Sequence, residues 1–236
     1  MNESITAIPF SSLLLVFIPV AVVIGLIHSW SLDWKNIIYA IIRMVVQLLL
    51  IGYFLVYIFE SNDTGITVSI LSVMVFTASW ISLRTIKQKR RKLFQSAITA
   101  ILIGGGLTLF LVTQFVLKLN PWFMPRYMIP LAGMIFASSM NGVSLAVERL
   151  QAEMDRNVEY IQARSIALRA ALIPITNSLF AVGLVSLPGM MTGQILSGVS
   201  PLIAVRYQIM VMCMIFSAVG LSTVLFLIII KSQISE

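Results

Sequence analysis

The side chains in this sequence that could do chemistry are neutral or soft. Met190 and Met191 stand between Gly189 and Thr192, with Pro188 before them and Gly193 and Gln194 after. Tyr207 and Gln208 follow on the next apolar stretch, while Met134, Met140, Asn141 and Asn177 occur on earlier ones. Thioethers favour Cu(I) over hard ferric or aluminium ions, so methionines at a break in the chain are either soft ligands or flexible packing beside glycine. The amides and the tyrosine serve either to wet a transport path or as interhelical hydrogen bonds of about 0.6 kcal/mol each. Arg43 and Gln47 lie four apart and share one helix face, where the arginine either snorkels and packs or lines the path.

What is missing narrows the chemistry. One cysteine, Cys213, and one histidine, His28, build neither a disulfide framework nor a Cys/His metal site within one chain. No Asp or Glu lies within an apolar run away from its ends, which disfavours a proton-coupled carrier and leaves no acid-base cluster for a membrane enzyme. Gly104-Gly105-Gly106 has no following Lys-Ser/Thr and falls inside an apolar run, so it reads as helix packing and not as a phosphate loop. Active transport through this chain would therefore draw its energy from another chain. A stand-alone channel or facilitator is the alternative.

These side chains must be carried by membrane helices. With 59% hydrophobic residues, 11% charged residues and a mean hydropathy of +0.99 over 236 residues, the chain is an all-α polytopic membrane protein. Runs of spanning length occur at Phe10–Ile27, Ile37–Phe59, Ile66–Leu83, Ala97–Leu117, Tyr127–Val147, Ala170–Leu187 and Ala204–Ile230. Met1–Ile27 has no basic leader region and no small-residue cleavage pattern, and reads as a retained first helix. The net charge of +7 resides mostly in short gaps between runs, so it marks topology and not nucleic-acid binding. Arg84, Lys87, Lys89, Arg90, Arg91 and Lys92 fill one gap, and Arg149, Arg156, Arg164 and Arg169 another. By the positive-inside rule both face the cytoplasm, with the N-terminus outside and the C-terminus inside. Trp30, Trp34 and Trp80 then anchor inner ends, and Tyr57 and Trp122 outer ends.

Two segments stand apart. From Ala170 to Val205 no side chain is charged over 36 residues, which as one helix would reach about 54 Å against a hydrocarbon core of about 30 Å. Pro188, Gly189, Gly193, Gly198 and Pro201 must turn the chain there, and irregular backbone at membrane depth lines a cavity or packs in protein. The second segment, Glu148–Arg169, mixes Glu148, Arg149, Glu153, Asp155, Arg156, Glu159 and Arg164 at helical spacings. It reads as a cytoplasmic extension of the fifth helix, either a docking surface or a solvated connector. One membrane domain spans 1–236, with 148–169 as its polar segment.

At these residues the sequence resembles the FetB/YbbM family of ABC-transporter permeases, implicated in iron export, with plant relatives in aluminium tolerance. The resemblance rests on GLVSLPGMMTGQILSGVSPLIAVRYQIMVM over 183–212, on Arg43-x-x-x-Gln47 with Ile51-Gly52-Tyr53, on Ile129-Pro-Leu-Ala-Gly-Met134 and on Arg169-Ala-Ala-Leu-Ile-Pro174. It implies the membrane subunit of an ATP-driven exporter in the bacterial inner membrane, paired as a homodimer and with a cytoplasmic ATPase that binds ATP and Mg. This chain itself would hold no cofactor. The resemblance also implies that Glu148, Asp155, Arg156, Glu159 and Arg164 belong to the ATPase-coupling segment. Two departures stand out. Ala137-Ser-Ser-Met140 replaces the usual Gly-Asn-x-Met, and after Asn157-Val-Glu-Tyr-Ile-Gln-Ala163 a Leu-Gly-Ala stretch is absent, with about fifteen residues missing. Either the coupling differs, or a mobile loop is absent from this sequence.

Overall fold

A computed structural model describes residues 8–60, 63–86 and 89–234, so the reading of Met1–Ile27 as a retained helix falls partly outside it, as does Lys87. The described residues are helical, and the sole bridge of strand type among them joins Val182 to Ser186. They form two compact units, Met1–Ser61 and Asn62–Glu236.

The first unit holds α1 (Phe10–Leu15), α2 (Phe17–Ser29) and α3 (Trp34–Glu60). Between α2 and α3, Ser31 takes a left-handed φ of 58°, and the amides of Ser31 and Leu32 reach the carbonyls of His28 and Ile27. This pair of bonds satisfies carbonyls that the helix end leaves open. Asp33 then accepts the amide of Asn36 at 3.2 Å and starts α3 at Trp34, ahead of the apolar run expected from Ile37.

The second unit contains α4 (Thr64–Ser82), α5 (Arg90–Leu111) with a π-helical end at Val112–Val116, α6 (Pro125–Met154), α7 (Tyr160–Ala181), α8 (Gly189–Leu196), α9 (Pro201–Ile229) and α10 (Lys231–Ile234). Its core is the contact among α5, α6 and α9, with α4 against α5 and α6, and α7 against α6 and α9. Small residues set the spacing. A Cβ at Gly104 would stand 2.6 Å from the Ser222 nitrogen, and one at Gly142 2.8 Å from Thr223 Oγ1 and Val219 Cγ1. The Ser139 hydroxyl donates to the Ala218 carbonyl at 3.2 Å and accepts from Ser222 at 3.1 Å, so α6 and α9 are joined by polar bonds as well as by close packing.

Among the described residues, six helical stretches are long and apolar enough to cross a membrane: Ser11–Ser29, Trp34–Glu60, Thr64–Ser82, Arg90–Val116, Pro125–Met154 and Pro201–Gln233. The expected sixth span, Ala170–Leu187, is corrected. The helix there starts at Tyr160 and stops at Ala181, and Val182–Leu187 form a turn. Arg164 and Arg169 lie inside α7 and lower its apolar content, so only about 18 Å of it, Ala170–Ala181, is charge-free. Even so, α7 runs alongside most of α9: the Tyr160 hydroxyl donates to the Leu227 carbonyl, and Leu179 and Val182 share a cavity wall with Val205 and Gln208.

The reading of 148–169 as one extension of the fifth helix is also corrected. α6 stops at Met154, because Asn157 adopts a left-handed φ of 61°. The amides of Asn157 and Val158 bond to the carbonyls of Met154 and Glu153, closing the helix end. The shortened stretch is thus a closed turn leading directly into α7.

Candidate functional site

Side-chain bonds define the two ends of the second unit. At one end Lys89 Nζ donates to Gln151 Oε1 at 2.8 Å, and Lys92 Nζ to the Gln233 carbonyl at 3.0 Å. Arg90 grips the Trp80 carbonyl through Nε and Nη2 at 3.0 and 2.6 Å and stacks over the Trp80 ring at 3.7 Å. Lys89 of one basic gap thus meets Gln151 of the other gap's segment at this end, with Arg90, Lys92 and Trp80 beside it. At the other end the Gln114 amide donates to the Trp122 carbonyl at 3.3 Å.

The polar end carries the coupling candidates. Glu148, Asp155, Arg156, Glu159 and Arg164 are all exposed around the Asn157 turn, and Asp155 accepts from Gln151 at 2.5 Å. Glu153 differs from them: it is buried and paired with Arg149 at 2.6 Å and with Arg156 at 3.8 Å. It holds the turn from inside. Burial raises the Tyr160 phenol above its ordinary pKa, against a smaller opposing pull from Arg164.

The broken segment resolves into a turn, a short helix and a second turn. Pro188, which has no amide to donate, offers its carbonyl to the Thr192 amide at 3.0 Å and the Thr192 hydroxyl at 3.2 Å, so α8 begins at Gly189. Gly198, at φ 87°, ends it: its amide and that of Val199 bond to the carbonyls of Ile195 and Gln194. Pro201 then opens α9 at its first position. α8 packs on α9. Met190 shares a cavity wall with Met134 and Pro130 of α6, and Met191 shares another with Met212 and Cys213 of α9.

The adjacent methionines face different spaces. Met190 lines a cavity of about 260 Å³ with Met134, Tyr207, Met210, Tyr127 and Arg126. Met191 lines another of about 340 Å³ with Gln208, Met212, Cys213 and the Gly183 turn. Asn141 lies in a third, of about 300 Å³, between α6, α7 and α9, beside Pro174 and Ser178. Met140 packs against the core, Asn177 edges an open groove on α7, and Gly193 is exposed on α8. Arg43 and Gln47 are exposed on α3, in the first unit.

Two of the expected path residues are also polar orphans. The side-chain oxygens of Gln194 and Gln208 are buried without a hydrogen-bond partner, and Gln208 is only 5% exposed. A buried unpaired carbonyl is costly, and water, an ion or a strained conformation accounts for such groups in folded proteins. Sequence reasoning missed Arg126, Tyr127, Met210, Met212 and Cys213 as cavity walls. The signal was present in the helical spacings Tyr207 to Met210 and Gln208 to Met212. Among the described residues no three His, Cys, Asp or Glu side chains gather as a metal-binding group.

A bundle of spanning helices with a Gly/Pro-bounded short helix set into one end, orphan amides beside it and a polar turn at the other end is the build of a polytopic membrane permease. The chain belongs to the uncharacterised protein family UPF0014, whose model matches residues 10–234. It is 35% identical over 243 residues to the probable iron export permease protein FetB of Escherichia coli K12, covering 95% of this chain and 88% of that protein. It is 31% identical to protein ALUMINUM SENSITIVE 3 of Arabidopsis thaliana, covering 89% and 81% of the two chains. It is also 33% identical to the UPF0014 membrane protein YjkA of Bacillus subtilis 168, covering 91% and 90%. No solved structure matches.

Proposed function

We propose that this chain is the membrane-spanning subunit of an ATP-driven exporter that moves a metal, iron by analogy with the name of the Escherichia coli relative. It pairs as a homodimer in the bacterial inner membrane, N-terminus outside and C-terminus cytoplasmic, and a separate cytoplasmic ATPase supplies ATP and Mg chemistry. One observation carries the reading. The exposed Asn157 turn and the α8 cavities lie at opposite ends of the same two helices, α7 and α9. From Tyr207 to Leu227, α9 covers about 30 Å, the thickness of a hydrocarbon core. A pull on the turn is therefore delivered to the cavities by two rigid helices packed side by side, which is the lever that alternating access requires.

The deciding experiment uses proteoliposomes with and without the ATPase co-purified from the native membrane. ATP-dependent metal export that is lost when Asp155, Arg156, Glu159 and Arg164 are charge-reversed together supports the scheme. Metal flux through this chain alone, without ATP, would replace it with a facilitator. Absence of any co-purifying ATPase together with unchanged flux in the charge-reversed chain would end the coupling proposal.

A further inference from the structure

We infer that the cavity between α7, α8 and α9 binds a soft monovalent cation of the Cu(I) class through the sulfurs of Met191, Met212 and Cys213. Three sulfur side chains from two helices line this one space of about 340 Å³. The fourth polar group in its wall is Gln208, buried at 5% exposure, whose carbonyl oxygen has no hydrogen-bond partner. That orphan oxygen is independent of the sulfurs and points to a missing ligand in the same cavity. Cys213 opens onto a face of α9 that the second unit leaves uncovered.

The donor set selects the ion. Thiolate and thioether sulfur prefer Cu(I) and similar soft ions, and an amide carbonyl is a familiar weak additional donor to a sulfur-ligated copper. Hard cations need carboxylates or retained water, and no carboxylate lines the cavity. On binding, the Cys213 thiol gives its proton to solvent as the sulfur–metal bond forms, and no redox change accompanies the step. The backbone contributes as well: Gly183, at φ 82°, turns the chain at the end of α7, and Val182 and Gly183 form part of the wall. The site goes beyond the iron-export reading above, and its occupancy is measurable on the chain alone.

The test is a titration of the purified full chain in detergent with Ag(I), a redox-inert probe of the same class. Binding of one Ag(I) per chain is expected, weakened about tenfold or more in Met191→Leu and in Cys213→Ser. Met44→Leu, an exposed position on α3, leaves it unchanged. Bound Ag(I) also slows alkylation of Cys213, the chain's single cysteine, by N-ethylmaleimide. Absence of Ag(I) binding, binding undiminished in both cavity variants, or anaerobic Fe(II) binding in place of Ag(I) would overturn the assignment. Failure of the ATPase to co-purify does not alter this titration, and a failed titration does not alter co-purification, so the two proposals fall separately.

Discussion

A methyl group added at Gly104 would stand 2.6 Å from the backbone nitrogen of Ser222, whereas one added at Gly106 would meet only the far end of Leu102 at 4.0 Å. Backbone cannot move aside as a side chain can, so Gly104→Ala must push α5 away from α9. A loss of about 1–3 kcal/mol is expected, read as a lower melting temperature in detergent. Gly106→Ala should be neutral or stabilising by up to about 1 kcal/mol through helix propensity. Equal effects of the two substitutions would contradict the packing. The sequence reading of the triple glycine as a packing element was right in kind, but spacing alone does not tell which glycine touches a neighbour. The same limit applies to Met190 and Met191. Read as an irregular break, they looked like one pair; once α8 is a helix, successive side chains diverge by about 100° and enter separate cavities.

Among the elements, α7 was least legible. Its apolar run suggested Ala170–Leu187, but hydrogen bonding starts the helix at Tyr160 and releases it at Ala181. Arg164 and Arg169 hid the first half, since a charged stretch reads as a connector even when it is helical. The closing turn at Asn157 was equally invisible, because Asn in a left-handed position carries no hydropathy signal. It is testable: Asn157→Gly should keep stability, while Asn157→Ala should cost about 1–2 kcal/mol through the positive φ, measured by thermal unfolding. The clasp from Tyr160 to Leu227 belongs to the same element. Tyr160→Phe should lower stability by about 0.5–1.5 kcal/mol. Because the folded pKa of Tyr160 is raised, its stabilisation is complete below the unfolded value near about 10 and is lost as pH rises through the folded value. The difference in melting temperature between wild type and Tyr160→Phe should therefore stay constant through neutral pH and change only in strong alkali.

At the scale of the whole molecule, the helical nature of the apolar runs and six of the seven expected spans were legible, since the bilayer demands long apolar helices. So was the grouping of the two basic gaps at their near edges, where Lys89 bonds to Gln151 at one end of the second unit. Which side of the membrane that end faces is a prediction from charge. In a Cys213→Ser background, Lys118→Cys should react with a membrane-impermeant maleimide in intact cells, and Arg156→Cys should react only after the membrane is opened. The reverse pattern would invert the topology and with it the direction of transport proposed above.

The division of Met190 and Met191 between two cavities has a consequence for descent as well as for mechanism. A single residue inserted inside α8 ahead of Met190 would rotate everything after it by about 100° and turn Met190 and Met191 away from their two cavities. Beyond the ATPase contact proposed above, the turn between α6 and α7 places no side chain in the cavities beside α8, so its length is less constrained. Length changes accumulated over evolutionary time should therefore collect around 155–159 and be purged from 189–194. Saturation insertion scanning, with survival under metal stress as the readout, would reveal that contrast as a tolerant hairpin beside a six-residue stretch of fixed length.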